Sequence, residues 1–153
     1  MSAGTQLGFR GKVTLGATTI LGIGNWNMPG INTNFVDDSE FGDKWDSFQP
    51  ATKAGGTITM AGVFKPADTT GQDALDDAQV NATEITNIRF YYNLTSYYEP
   101  CQTTYWRTAA DSTGNDTQLS GVYVEAITRT LDRADVGRID FTLRVNGVMV
   151  QAN

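Results

Sequence analysis

Two acidic runs are the first places in this sequence where chemistry could sit. Asp37, Asp38, Glu40, Asp43 and Asp46 fall within ten residues, and Asp73, Asp76 and Asp77 follow later. In the first run Asp38, Glu40 and Asp43 could supply hard oxygen ligands to calcium, but the run has neither the glycine nor the closing glutamate that a twelve-residue calcium loop requires. Its bland reading is a solvated or interfacial loop, and no metal or cofactor is expected. Paired carboxylates for glycoside hydrolysis must face each other about 5 to 9.5 Å apart across a cleft. Asp37 and Asp38, or Asp76 and Asp77, are chain neighbours whose side chains diverge, so they read as surface.

The remaining chemical options thin out quickly. There is no histidine, which removes the Ser-His-Asp triad, the Cys-His dyad and the imidazole ligand. Cys101 is the only cysteine and follows a proline among aromatics, so it reads as a buried structural thiol and leaves the fold to packing alone in a reducing compartment. Gly22-x-Gly24 has no third spaced glycine before a helix, so it makes no phosphate cradle. The glycosylation triplets at Asn81, Asn93 and Asn115 lack a secretory context. Trp26, Trp45, Trp106, Tyr91, Tyr97 and Tyr98 could stack bases or sugar rings. Base-stacking platforms are lined with Lys and Arg, whereas here 11 bases meet 17 acids for a formal charge of −6. Core packing and subunit contacts are the better reading. No catalytic residue is expected, and the chain reads as a non-enzyme.

The elements that must carry these residues come from a chain of 153 residues, 40% hydrophobic and 18% charged. That suits one folded domain over residues 1–153, with residues 1–10 as a polar arm and no membrane span or export signal. Gly11 to Ile23 reads as a strand pair or kinked strand, followed by short strands at Asn25 to Met28 and Ile31 to Phe35 around the Pro29-Gly30 turn. Residues 36 to 55 break the alternation and read as a long loop with Phe41, Trp45 and Phe48 as apolar anchors. Thr57 to Phe64, Thr86 to Leu94, Val122 to Thr130 and Arg138 to Val145 alternate strictly and predict strands. Asp68 to Gln79 carries cap residues, early acids and helically spaced Ala74, Leu75 and Ala78. Tyr97 to Pro100 reads as an aromatic turn, Thr103 to Thr108 as a short strand and Asp111 to Asp116 as a loop. Asn146-Gly147 predicts a hairpin returning through Val148 to Val150. The fold class expected is mainly β, a two-sheet sandwich or barrel with one flanking helix and a long early loop.

The order of these features resembles the tail tube (major tail) proteins of long-tailed bacteriophages. The likeness runs from Gly11-Lys12-Val13-Thr14 and Ile23-Gly24-Asn25-Trp26 through Phe41-Gly42-Asp43-Lys44-Trp45, Gly56 to Phe64, and Pro66 to Leu75. It continues through Ile88 to Tyr92, Tyr97 to Pro100, Ala134-Asp135-Val136 and Ile139 to Val145, nearly the whole chain. The resemblance implies a virion structural protein assembled in the host cytoplasm. Its six-membered rings would stack into a hollow tube that conducts DNA, with tape-measure, tail-terminator and tail-tip proteins as partners. It extends to the tube of type VI secretion systems.

The resemblance also assigns roles. The loop residues Asp37, Asp38, Glu40, Phe41, Asp43, Trp45, Asp46 and Phe48 are expected to bridge rings. Within a ring, the strands Gly56 to Phe64, Val122 to Thr130 and Arg138 to Val145 are expected to pair edge to edge with the next subunit, which would place Thr57, Thr59, Glu125, Asp140 and Thr142 toward the lumen. An acidic chain suits a conduit that lets a polyanion slide, because each lysine or arginine in the lumen adds a phosphate contact. A capsid-decoration or head-to-tail joining protein and a carbohydrate-binding sandwich are the competing readings.

Overall fold

The computed structural model describes residues 11–42, 44–102 and 120–152. Its elements run β1 (Lys12–Leu15), β2 (Thr18–Thr19), β3 (Ile23–Asn27), β4 (Asn32–Asp37), β5 (Phe48–Ala54), β6 (Thr57–Val63), α1 (Gln72–Val80), β7 (Ile88–Tyr91), β8 (Tyr97–Pro100), β9 (Gly121–Thr130), β10 (Arg138–Asn146) and β11 (Met149–Ala152). They form a five-stranded sheet in the order β11-β8-β7-β1-β2, a four-stranded sheet in the order β3-β6-β10-β9, and a separate two-stranded sheet of β4 and β5.

The alternation in the sequence explains the two larger sheets. Ile58 and Met60 of β6, Ile139, Phe141 and Leu143 of β10, and Val122 and Val124 of β9 are buried along one face of the four-stranded sheet. They meet Val13 of β1 and Ile88 and Phe90 of β7 from the other sheet in a shared core. Trp26 spans the two layers. Its ring lies 5.7 Å from that of Phe90, and its indole N–H donates to the Tyr91 carbonyl at 3.1 Å. The sheets remain an open sandwich and do not close into a barrel.

The helix is set by one buried polar pair. Gly71 is the N-cap residue; from three residues further back Asp68 Oδ2 accepts the backbone N–H of Gln72 at 3.1 Å, the first of the helix, and also that of Leu21 at 2.9 Å. The Gln72 side chain then donates to the carbonyls of Leu21 and Val63 and accepts the Lys65 N–H. Leu75 enters the core, and Asp76 pairs with Arg129 of β9 at 3.2 Å, which docks the helix on that strand.

Four expectations are corrected. Residues 36 to 55 are not one loop: Phe48–Ala54 is a strand that pairs with β4, so the segment is a hairpin with a tip between Asp38 and Ser47. Tyr97–Pro100 is a strand, held between β7 and β11. The chain does not fold back at Asn146-Gly147. Both edges of β10 are already taken by β6 and β9, so Gly147, at φ 102°, lets the chain cross to the other sheet, where β11 pairs with β8. For the same reason β6 and β10 have no edge to offer a neighbour. The edges of the four-stranded sheet are β3 and β9.

Candidate assembly interface

Among the described residues β4 and β5 pair only with each other, as a two-stranded sheet separate from the other two. Consecutive Phe35 and Val36 point to opposite faces of a strand, so no single sheet surface could bury both. They are exposed at 63% and 57%, and Phe48 across the ladder at 55%. At the tip Phe41 is fully exposed and Trp45 is 85% exposed. Fully burying these five side chains is worth on the order of 10 kcal/mol, at roughly 1.5 to 3 kcal/mol each. The sequence reading singled out Phe41, Trp45 and Phe48 but not Phe35 and Val36 as anchors, although two adjacent large apolar residues in a strand were the signal.

The acids have a local task at the tip. Asp37 accepts the Ser39 N–H at 2.9 Å, and this bond holds its carboxyl below the usual carboxylate range. Hydrogen bonds from Ser47 and Gln49 do the same for Asp38, the latter at 2.7 Å. The Ser39 hydroxyl accepts the Ser47 N–H at 2.6 Å, so the two arms are zipped to the base of the tip. Glu40, Phe41, Trp45 and Asp46 lie beyond that zip, exposed to solvent, while Asp43 lies outside the described residues. At the root, Gly56 takes φ 88°, and a β-carbon there would sit 2.5 Å from the Gly30 carbonyl oxygen, so the arm leaves the body through a turn that only glycine fits.

A second surface is the outer face of the four-stranded sheet. The register sets Thr59 beside Thr142, Thr57 beside Arg144 and Ala61 beside Asp140, and β9 adds Ala126 and Thr128. Glu125 sits at the β9 bulge and accepts from Arg144 at 2.8 Å. Thr57, Thr59, Glu125, Asp140 and Thr142 are thus brought to one face. Arg138 and Arg144 share it, as the parity of the alternating strand implies, and went unremarked in the sequence reading. Both are engaged by carboxylates, Arg138 with Asp135 at 3.4 Å and Arg144 with Glu125. The face is polar, and its cations are paired.

The other candidates resolve into packing. Tyr91 and Tyr97 stack at 4.9 Å, with Arg89 over Tyr97 and paired with Glu99 at 3.5 Å. Tyr98 lies edge-on to Trp26, and Cys101 is buried. Asp73, Asp76 and Asp77 bring carboxylate oxygens within 4.8 Å of one another, but Asp73 and Asp77 are exposed and Asp76 is taken by Arg129. Trp106, the expected strand at Thr103 to Thr108, the loop at Asp111 to Asp116 and residues 1–10 lie outside the described residues. Among the described residues no helix is long and apolar enough to cross a membrane.

No protein-family model matches the chain, and no curated protein matches it in sequence. Solved structures match its fold. A chain from the tail of the empty gene transfer agent particle, determined with six-fold symmetry, is 13% identical with a TM-score of 0.68, covering 97% of this chain and all of the other. The tube-terminating cap of the anti-feeding prophage is 12% identical with a TM-score of 0.65, covering 100% of this chain and 94% of the other. The SPP1 tail tube is 14% identical with a TM-score of 0.58, covering 97% of this chain and 80% of the other. At such identities the likeness speaks for architecture, and the architecture of this chain is the tail-tube fold.

Proposed function

We propose that this chain is a non-enzymatic structural protein of a virion tail, in which rings of six copies stack into a hollow tube that conducts DNA. The observation that carries the reading is the likeness to a six-fold symmetric tail over 97% of this chain and the whole of the other. The two surfaces described above support it. The edges β3 and β9 can extend the four-stranded sheet from copy to copy, closing a ring and leaving no edge exposed. That closure turns the polar face with Thr57, Thr59, Glu125, Asp140 and Thr142 toward the lumen. There the paired arginines offer little to a passing phosphate backbone. The arm, with Asp37, Asp38, Glu40, Phe41, Asp43, Trp45, Asp46 and Phe48, bridges to the next ring. Tape-measure, tail-terminator and tail-tip proteins are its partners, the whole chain acts as one tube domain, and assembly takes place in the host cytoplasm.

Negative-stain microscopy of the purified protein tests this. Hollow rods or stacked six-fold rings are expected, and monodisperse small particles at high concentration would refute it. A second reading, a cap that ends a tube, is favoured by the likeness to a tube-terminating cap. It predicts single rings that never lengthen.

A further inference from the structure

We infer that the turn joining β9 to β10, Leu131 to Gly137, is the seat on which the arm of a second copy of this chain docks. The inference rests on the tube reading and names a surface which that reading leaves unassigned. Position is the first argument. The arm leaves the four-stranded sheet between Asn27 of β3 and Thr57 of β6, where the register brings Thr57 beside Arg144. The turn closes the opposite end, where Val63, Arg138 and Thr130 lie side by side. Six residue steps of β6 separate the two ends, about 20 Å along the strand. Phe41 and Trp45 of the arm and Leu131 and Val136 of the turn are all exposed, so arm and turn do not cover each other within one chain, and a contact between chains would be head to tail, the kind that propagates.

Surface chemistry is the second argument. Leu131 is 77% exposed and Val136 52%, with Leu21, at 53%, on a loop at the same end of the sheet. The turn is tied down by hydrogen bonds to its carboxylates and to the neighbouring strand. Asp132 accepts the Ala134 N–H at 2.9 Å, Asp135 accepts the Val136 N–H at 2.7 Å, and Phe64 donates to the Gly137 carbonyl at 2.9 Å. A rigid apolar step loses little entropy when covered. Asp132 and Asp135 stay charged; Arg138 pairs with Asp135, Arg133 offsets Asp132, and the nearby exposed Lys65 adds one positive charge, while Arg133 and Lys65 have no ion-pair partner among the described residues. The arm from Asp37 to Ser47 carries five acids and one lysine, so the two surfaces complement each other in charge as well as in apolarity. The cleft at the arm's own root, lined by Lys53, Gly55 and Arg144, is the rival seat. It lies at the same end as the arm, and Glu125 already engages its arginine.

Disulfide trapping tests the seat, because the only native thiol, Cys101, is buried. The variant Lys44→Cys with Ala134→Cys, which keeps every apolar anchor, is assembled at rod-forming concentration and oxidised with diamide, which takes up the two electrons and two protons released as each S–S bond forms. A non-reducing gel should show a ladder of three copies and more that collapses to monomer with dithiothreitol. Each single-cysteine variant should stop at dimers. Glu40→Cys with Ala134→Cys should repeat the ladder, and Lys44→Cys with Val80→Cys, on the exposed helix end, should give none. Rods without a ladder in either arm–turn pair, or an equal ladder from the Val80 pair, overturn the seat and leave the tube reading standing. If the unsubstituted chain forms no rods or rings, the tube reading and the seat fall together.

Discussion

The β4–β5 arm and the β6–β10 ladder are built from strands of similar length, yet they spend their apolar residues in opposite ways. In β10 every second residue is buried, as are Ile58 and Met60 of β6, and Thr57, Thr59, Asp140 and Thr142 between them lie on a polar face. In the arm, Phe35, Val36 and Phe48 are more than half exposed, and the tip adds Phe41 and Trp45. A folded monomer has no use for such a surface, since a hairpin without a third layer is marginal in water. The contrast teaches that the ladder is complete within one chain and the arm is not. On the proposed reading, the residues that make the subunit stable and those that make it assemble are separable by mutation.

Substitutions can break that separation, beginning with the largest expected effect on the subunit. Phe141→Ala, at a site 1% exposed, should cost about 3 to 5 kcal/mol and lower the thermal midpoint by roughly 10 °C; a change of a degree or two would place the core elsewhere. Gln72→Leu removes the side chain that ties Leu21, Val63 and Lys65 together and should cost about 2 to 4 kcal/mol in a denaturant titration. An unchanged midpoint would mean that the network is ornamental. Trp45→Ala should leave subunit stability within about 0.5 kcal/mol while raising the concentration needed for rods by roughly two orders of magnitude. Full-length rods at the original concentration would remove Trp45 from the interface.

The smallest effect concerns pH. The carboxyls of Asp37 and Asp38 are held below their ordinary range in the folded tip, so their contribution is fully present above the unfolded value of about 3.9 and fades as pH falls through the folded values. Amide protection of Ser39 and Ser47 should drop under acid before that of Phe141. Simultaneous loss would show that the arm and the ladder unfold as one unit.

The strands in which alternation coincides with burial, β6, β9 and β10, were legible in the sequence, as was the helix through its Leu75 contact, although it begins at Gln72 and not at Asp68. The missed features depend on neighbours far along the chain. Phe48-Gln49-Pro50 has no alternation and a residue without an N–H, so nothing local marks it as a strand; its partner β4 does. Asn146-Gly147 carries a strong hairpin signal that fails because β10 already has two neighbours, a fact about the sheet that no dipeptide encodes. The assembly surfaces were half legible. The exposed anchors at the tip and the polar parity of β10 could be read directly, whereas the distance between the arm and the β9–β10 turn is a property of the folded register.

The crossing at Gly147 has a mechanical consequence. β10 is gripped along most of its length by ladders on both sides, and its continuation β11 is paired into the opposite sheet. A longitudinal pull on β10 therefore loads two rows of hydrogen bonds in shear at once, with no free end from which they could peel one by one. The strand that runs along the polar face is anchored as a rivet through both walls of the subunit.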